Sequence, residues 1–354
     1  MAAPAFPVNA PCRTQVTGYA DHQSDVTAGH YGGIVSFAAG RYAGILRDTG
    51  NRGTAGKPTS AEQALNAVLA GGVSMRILDH QIDLRAFFHR LAETSARTLF
   101  LDYDGTLAPF AVDPREACLY PCVIPIIQRL IDSRRTRVVF VSGRRIEDLT
   151  PLLPFTPLPE LWGAHGYEQM SPDGTRRMFN PGPESRDCLA RVRHALSTGL
   201  VKTRYEVKTA SIAVHWRGDR PAHVARIRRE TAEIWRQIPR RGTVTMDEFD
   251  GGIEFKARDR TKGSAVADTL GDSAIAAYLG DDVTDEDAFP VVSRIGLAVL
   301  VRPHLRPTAA ALWLSPPAEL EAFLLDWETA CAGQSAGYLA ALPSDETAEA
   351  LPWT

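Results

Sequence analysis

The sequence predicts an α/β fold: a Rossmann-like parallel-sheet core with an inserted small α+β cap domain. Three observations predict it. Apolar runs of strand length alternate with amphipathic runs of helix length. The strand-like runs are near-continuously apolar, as in parallel strands covered on both faces. Polar and charged residues gather where those runs end, the place where ligands bind in such sheets.

Taken in order, "IDLRAFFHRLAE" (82–93) reads as a helix, "RTLFLDYD" (97–104) as a strand, and "CVIPIIQRLIDS" (122–133) as a helix with apolar residues at helical spacing. "RVVFVSGR" (137–144) follows as a strand, "IEDLTPLL" (146–153) as a helix, and then comes "LWGAHGYEQM" (161–170). Later come "GIEFKA" (252–257), the helix "TKGSAVADTLG" (261–271), the strand "AIAAYLGDD" (274–282), the helix "DEDAFPVV" (285–292) and the strand "GLAVLV" (296–301).

The alternation breaks over residues 171–244. "KTRYEVKTASIAVHWRGD" holds two period-two strand runs, and "PAHVARIRRETAEIWRQI" is a helix with Val224, Ile227, Thr231, Ile234 and Ile238 on one face. "GTVTMDEFDGGIEFKA" returns through a Gly-rich hairpin signal. The expected organisation is therefore a core from 76–170 and 245–330, with a cap over 171–244. Residues 1–75 are rich in Gly, Ala, Ser and Thr and bury too little apolar surface to offset their ordering, so they read as a disordered N-terminal segment with one short helix at "SAEQALNAVLAGG". Globular character begins close to Met75, which makes translation from Met75 an expectation that mass spectrometry of the native N-terminus would test. Residues 331–354 read as a flexible C-terminal tail.

The totals exclude several roles. A net charge of −3 over 354 residues gives no general reason to expect nucleic acid or an acidic membrane as partner. The arginine-rich helix lacks interleaved aromatics for base stacking, so no nucleic-acid role is expected. No apolar run approaches the roughly 20 residues of a membrane span. The five cysteines are scattered, with Cys118 and Cys122 spaced to share one helix face. They read as reduced thiols of a cytoplasmic protein.

Four segments carry chemistry. Asp102 and Asp104 end the first core strand two residues apart, so both side chains would point one way in an extended chain. Gly105 allows a tight turn, and Thr106 can bond an anion or cap a helix. Such a pair fits a hard-oxygen site for Mg²⁺, and equally a solvated strand-to-loop turn. Ser142 and Gly143 follow the second strand, where a hydroxyl and backbone N–H groups could hold phosphate oxygens. Lys262 stands at a helix start. Asp281, Asp282, Asp285, Glu286 and Asp287 end another strand, a density of acids that calls for a cation or for a solvated helix N-terminus.

These four segments, in this order, resemble the motifs of the haloacid dehalogenase-like phosphohydrolases. The resemblance implies Asp102 as nucleophile forming an aspartyl-phosphate, Asp104 as proton donor and then base, and Lys262 and Ser142 as stabilisers of the phosphate. It implies Mg²⁺ held by Asp102, the backbone carbonyl of Asp104 and Asp281, with Asp282 and Asp285 ordering the metal's surroundings. An ordinary carboxyl pKa of about 3.9 would keep Asp102 ionised without tuning.

"SGRRIEDL", "WGAHGYE", "YEVKTASIAVHWR", "GIEFKARDRTKGSA" and "LGDDVTDEDAF", spread over about residues 85–328, resemble the trehalose-6-phosphate phosphatase family. Phe-Lys-Ala at 255–257 departs from the Val or Ile, Arg and Pro common there. This resemblance implies a sugar-phosphate substrate, the last step of trehalose biosynthesis, a cap that opens and closes, and a functional partner in trehalose-6-phosphate synthase. Thr106, Gly143, Arg144, Glu206, Lys208, His215 and Arg217 are the implied substrate contacts, with His165, Glu168 and Glu254 from the core side. Independently, Glu184 to Arg241 carries 14 Lys plus Arg against 6 Asp plus Glu, a charge that can steer an anionic substrate or simply solvate a helix face. Sucrose-phosphate and mannosylglycerate-phosphate phosphatases are the rival readings on substrate, and a non-catalytic sugar-phosphate sensor or scaffold partner of a trehalose-phosphate synthase is the rival of another class.

Overall fold

The computed structural model describes residues 75–111, 113–199, 205–239, 243–249, 251–271 and 273–333. The expected N-terminal segment with its short helix, and the tail beyond residue 333, lie outside these residues. Met75, the first described residue, is buried in the main core.

In chain order the elements are β1 (Arg76–Ile77), α1 (Leu84–Glu93), β2 (Arg97–Leu101), α2 (Val123–Ser133), β3 (Arg137–Val141), α3 (Ile146–Leu149), β4 (Glu160–Gly163), β5 (Glu168–Met170) and β6 (Arg176–Met178). Then come α4 (Pro183–Thr198), β7 (Tyr205–Val207), β8 (Ser211–His215), α5 (Pro221–Gln237), β9 (Val244–Phe249) and β10 (Gly252–Ala257). The chain continues with α6 (Lys262–Leu270), β11 (Ile275–Gly280), α7 (Phe289–Val292), β12 (Leu297–Val301), β13 (Leu312–Leu314) and α8 (Ala318–Cys331).

Nine strands form one sheet in the order β1-β13-β12-β11-β2-β3-β4-β5-β6. The six from β13 to β4 are parallel; at the edges β1 pairs antiparallel with β13, β5 with β4, and β6 with β5. The apolar strands divide their side chains between two cores. Leu99, Leu101, Phe140 and Leu279 face one layer of helices, while Phe100, Val139, Val141 and Tyr278 face the other. That division is the physical content of a near-continuous apolar run: period two with both faces buried.

From β2 the chain moves through β3 and β4 to one side, and β11, β12 and β13 build the other. The sheet therefore reverses its order between β2 and β11, and a crevice opens beyond their carboxyl ends. Parallel register sets Leu279 beside Leu101, so the residues following the two strands emerge together. The backbone N–H of Asp102 donates to the Leu279 carbonyl at 2.9 Å and locks that register.

A separate four-stranded antiparallel sheet has the order β7-β8-β10-β9. Ile212, Val214, Ile253 and Phe255 pack one of its faces against Cys188, Val192 and Leu196 of α4 and Ile227 and Trp235 of α5. The alternate residues Glu206, Lys208, Ser211, His215 and Glu254 are left on the opposite face.

This sheet moves both expected domain boundaries. β10 pairs with β8 on one side and β9 on the other, so residues 244–257 belong to the small sheet and not to the main one. β6 pairs with β5, so residues 176–178 extend the main sheet. Strand pairing, which a chain-wise reading cannot see, decides both. Helix α4 was not expected; its buried Cys188, Val192 and Leu196 do stand at helical spacing. The expected helix over 285–292 is shorter, because Asp285 turns back to cap a 3₁₀ turn at Val283–Asp285 and α7 starts only at Phe289.

The cysteines need a correction. Cys118 is disulfide-bonded, whereas Cys122, Cys188 and Cys331 are free. Nor do Cys118 and Cys122 share a helix face, since α2 begins at Val123. Spacing along the chain does not show which sulfurs folding brings within bonding reach. No helix among the described residues is long and apolar enough to cross a membrane.

Candidate active site

Asp102 leaves β2 into the crevice and is 3% exposed. Its Oδ1 accepts from Lys262 Nζ at 2.8 Å and its Oδ2 from Thr106 Oγ1 at 3.3 Å. Gly105, at φ +81, turns the chain away at once, and a side chain there would collide with the Asp281 carboxylate. Glycine is needed at this position on both counts.

Lys262 is the first residue of α6, whose start is fixed by a capping box between Thr261 and Ser264. Its buried ammonium also reaches Asp285 Oδ1 at 2.7 Å. Burial alone would lower its pKa, but Asp102 and Asp285 outweigh that and raise it. Asp285 is saturated: Tyr278 donates to its Oδ1 at 2.6 Å, and the N–H groups of Asp281 and Asp282 donate to its Oδ2 at 3.1 and 2.9 Å.

Asp281, after β11, completes the cluster. Asp102, Asp281 and Asp285 each place a carboxylate oxygen within 4.8 Å of the others. Asp281 Oδ1 is buried without a hydrogen-bond partner. Arg302 and Arg306 donate to the Asp281 backbone carbonyl and so leave its carboxylate uncompensated. Burial first, then Asp102 and Asp285, raise its pKa well above the usual carboxylate range. Burial, opposed by Lys262 and aided by Asp285 and Asp104, likewise pushes Asp102 up to about 7. Without a cation beside it, then, Asp102 does not keep the ordinary carboxyl pKa expected of it, because desolvation outweighs its lysine. If all three carboxylates ionise, one lysine leaves an excess of two negative charges, and hard oxygens with an unpartnered lone pair fit a divalent cation.

Of the expected set of Asp102, Asp281 and the Asp104 backbone carbonyl, the cluster contains both carboxylates, and the side chains of Asp104 and Asp282 are engaged elsewhere. The Asp104 carboxylate is taken by Arg144, whose Nε and Nη2 donate to its two oxygens at 2.6 Å each. Asp282 Oδ1 accepts from the Val283 N–H at 2.7 Å and is spent on a cap. Neither side chain joins Asp102 and Asp281; Asp285 is the third carboxylate of the cluster. The acid-rich segment showed the density of carboxylates; only the 3₁₀ turn selects which of them face inward.

Ser142 is buried at the end of β3, and its Oγ accepts from the Arg144 N–H at 3.1 Å. Gly143 has His165 against it, so close that a Cβ would lie 2.7 Å from His165 Cε1. His165 itself adopts a left-handed backbone at φ 56. Its Nε2 is 2.9 Å from Glu254 Oε2, on the small sheet. Glu254 Oε1 accepts from Lys208 Nζ at 3.1 Å and Ser211 Oγ at 2.7 Å. Burial would raise the Glu254 carboxyl, but Lys208, His165 and Ser211 hold it well below its ordinary value. Burial lowers His165 against the pull of Glu254. Glu254 and Lys208 thus spend their charges on each other, and His165 joins them through a hydrogen bond.

Glu206 and His215 pair at 3.1 Å on the same face of the small sheet, half exposed and open to a ligand. Arg217 lies past the end of β8. It donates to the Ala111 carbonyl at 2.7 Å and stacks over Phe110 at 4.9 Å, bridging the small sheet to the loop after Asp104. Glu168 accepts from the Ile146 N–H at 2.8 Å and from Thr209 Oγ1.

A parallel core with reversed strand order, an inserted antiparallel sheet, and an Asp-x-Asp turn facing a buried lysine and a second acidic turn together define the haloacid dehalogenase-like fold class. Within it, residues 100–311 match the family described as trehalose-phosphatase, and the chain belongs to that family. It is 35% identical over 245 residues to a trehalose-phosphate phosphatase of Mycobacterium tuberculosis, a match covering 64% of this chain and 59% of that protein. It is 28% identical over 253 residues to a trehalose 6-phosphate phosphatase of Zea mays, covering 64% and 68%. The chain thus spans less than two thirds of the mycobacterial relative. Among solved structures, the C-terminal domain of a Candida albicans trehalose-6-phosphate phosphatase shares the fold, with a TM-score of 0.57 at 18% identity over 74% of this chain and 99% of that one.

Proposed function

We propose that the chain is a magnesium-dependent phosphatase that hydrolyses trehalose 6-phosphate to trehalose and phosphate, the last step of trehalose biosynthesis. The observation that carries this reading is the buried cluster of Asp102, Lys262, Asp281 and Asp285 at the sheet's reversal point, in a chain of the trehalose-phosphatase family.

Asp102 Oδ2, held only by the Thr106 hydroxyl, is the atom that attacks phosphorus; the P–O bond to the sugar breaks as an aspartyl-phosphate forms. A Mg²⁺ held by Asp102 and Asp281 would neutralise two buried carboxylates and the charge on a phosphate oxygen. Lys262 keeps Asp102 oriented and adds positive charge beside the incoming phosphate. The Ser142 hydroxyl and the Gly143 backbone are the proposed contacts for phosphate oxygens, the N–H groups of Ser142, Arg144 and Ile146 being bonded within the protein. Asp104 gives the leaving sugar oxygen its proton and then takes one from the water that hydrolyses the acyl phosphate. Both Asp104 oxygens accept from Arg144, so this pair has to open at one oxygen before Asp104 can exchange a proton with the sugar oxygen or the water.

The small sheet acts as a cap in this reading. Glu206 and His215, paired with each other on its open face, are the groups proposed to meet sugar hydroxyls, and a phosphate lacking those hydroxyls forfeits the bonds. The proposed partners are the sugar phosphate and a trehalose-6-phosphate synthase that supplies it. The proposed location is the cytoplasm, supported by the free Cys122, Cys188 and Cys331, with the disulfide at Cys118 as the observation opposed to it.

The test is phosphate release with Mg²⁺ from trehalose 6-phosphate, sucrose 6-phosphate and glucose 6-phosphate. Strong preference for the first is expected. Equal turnover of all three sinks the substrate assignment, and no turnover of any sinks the phosphatase reading.

A further inference from the structure

The turn from Ser142 to Ile146 carries three groups of the reaction centre: the Ser142 hydroxyl, the Gly143 backbone, and Arg144 with its grip on Asp104. Two core side chains hold this turn. The His165 ring presses on Gly143, leaving no room for a Cβ, and the His165 N–H donates to the Ser142 carbonyl at 3.1 Å. Three residues on, Glu168 Oε2 accepts the Ile146 N–H at 2.8 Å, the first free donor of α3.

Each of these side chains is tied at its other end to the inserted sheet. His165 Nε2 meets Glu254 of β10 at 2.9 Å. Glu168 Oε1 accepts from Thr209, in the turn between β7 and β8. Both ties are in a buried or half-buried setting, where an unmade hydrogen bond is costly. Glu254 is fixed in turn by Lys208 and Ser211, so neither tie ends on a loose side chain.

We infer that His165 and Glu168 are positioning residues: two parallel links through which docking of the inserted sheet sets the Ser142–Ile146 turn, and with it the Arg144–Asp104 pair. The inference rests on the reading of that turn as part of the reaction centre. It gives Glu254 and Thr209 a role on the reacting phosphate, although both belong to the unit that meets the sugar. A substrate that draws the insert down would thereby also order the phosphate end of the site.

The test uses the full chain with Glu254→Gln and Thr209→Val, both changes lying in the insert. Hydrogen–deuterium exchange of the 142–149 amides should quicken by about fivefold in each, the equivalent of one lost hydrogen bond, while α8 is unchanged. With a small aryl phosphate that carries no sugar, kcat should fall by about tenfold or more and KM should move little. Combining Glu254→Gln with His165→Asn should add nothing, because they lie on one link; asparagine also tolerates the left-handed backbone there. Combining Glu254→Gln with Thr209→Val should add. Unchanged exchange at 142–149 in both single variants overturns the inference whatever the kinetics. Faster exchange with unaltered kcat on the aryl phosphate overturns the positioning role. A wild-type chain that cleaves no phosphomonoester instead ends the phosphatase reading, and the exchange result still decides whether insert and turn are linked.

Discussion

Arg144 closes a two-pronged ion pair on Asp104, with both N···O distances at 2.6 Å, across 40 residues of sequence. The guanidinium also lies over the Tyr103 ring at 5.6 Å, so it is packed from the side as well as paired. A fork of this shape fixes the orientation of a carboxylate, which a single ammonium cannot do. Arg144→Lys should therefore lower kcat by about tenfold or more with little change in KM, since the proton carrier loses its aim and not its charge partner. Steady-state kinetics on trehalose 6-phosphate check this; an unchanged kcat would show that the fork is irrelevant to turnover.

Asp102→Asn should abolish turnover, by about 10⁴-fold or more, because the amide is no nucleophile. Acid quenching of the wild-type reaction should trap phosphate on Asp102, readable by peptide mass. Activity of the variant within tenfold of wild type, a ratio of about 1.4 kcal/mol in barrier, refutes the assignment.

Lys262 is the one cation bonded to Asp102 and Asp285 among the described residues. Lys262→Met should cost about 3–5 kcal/mol of stability in chelator, the cost of leaving buried carboxylates unpaired. Urea unfolding measures it. A loss below about 1 kcal/mol would place this lysine among ordinary surface positions.

Gly105→Ala should weaken Mg²⁺ binding by about tenfold or more, because the new Cβ displaces the Asp281 carboxylate and the backbone at φ +81 resists alanine. Calorimetric titration with Mg²⁺ reads this directly. Unaltered affinity removes Asp281 from the proposed cation site.

Acid should destabilise the junction between insert and core in two stages. His165 is held below its ordinary 6.5, so as pH falls through 6.5 the unfolded chain gains a proton that the folded chain refuses, and stability drops. Glu254 is held below its ordinary 4.5, so the same sign applies again below pH 4.5. Glu254→Gln should remove the second stage, seen as a difference in Tm against wild type that shrinks as pH falls below 4.5. A difference constant across that range contradicts the role given to Glu254.

How much of this was legible beforehand varies with the range of the contact. The strand over 97–101, the turn at Asp102–Thr106 and the cap of α6 at Thr261 are written locally, in apolar runs and short polar signals. Helix α4 was equally available from its 188, 192 and 196 spacing, but charged and polar residues such as Arg186, Asp187, Arg191, Arg193 and His194 dilute that stripe. The placement of Asp285 was not available, since five acids in one segment look alike until one of them accepts Tyr278, Lys262 and two backbone donors.

By itself, then, the sequence determined the α/β class, the order of the strands that carry chemistry, and the residue types at their ends, because periodicity and turn chemistry act within a few residues. Only the tertiary structure decided that β9 and β10 belong to the insert, that Asp104 answers to Arg144, and that His165 answers to Glu254 across 89 residues. Those choices depend on which side chains packing brings within 3 Å, and on burial that makes each partner costly to lose.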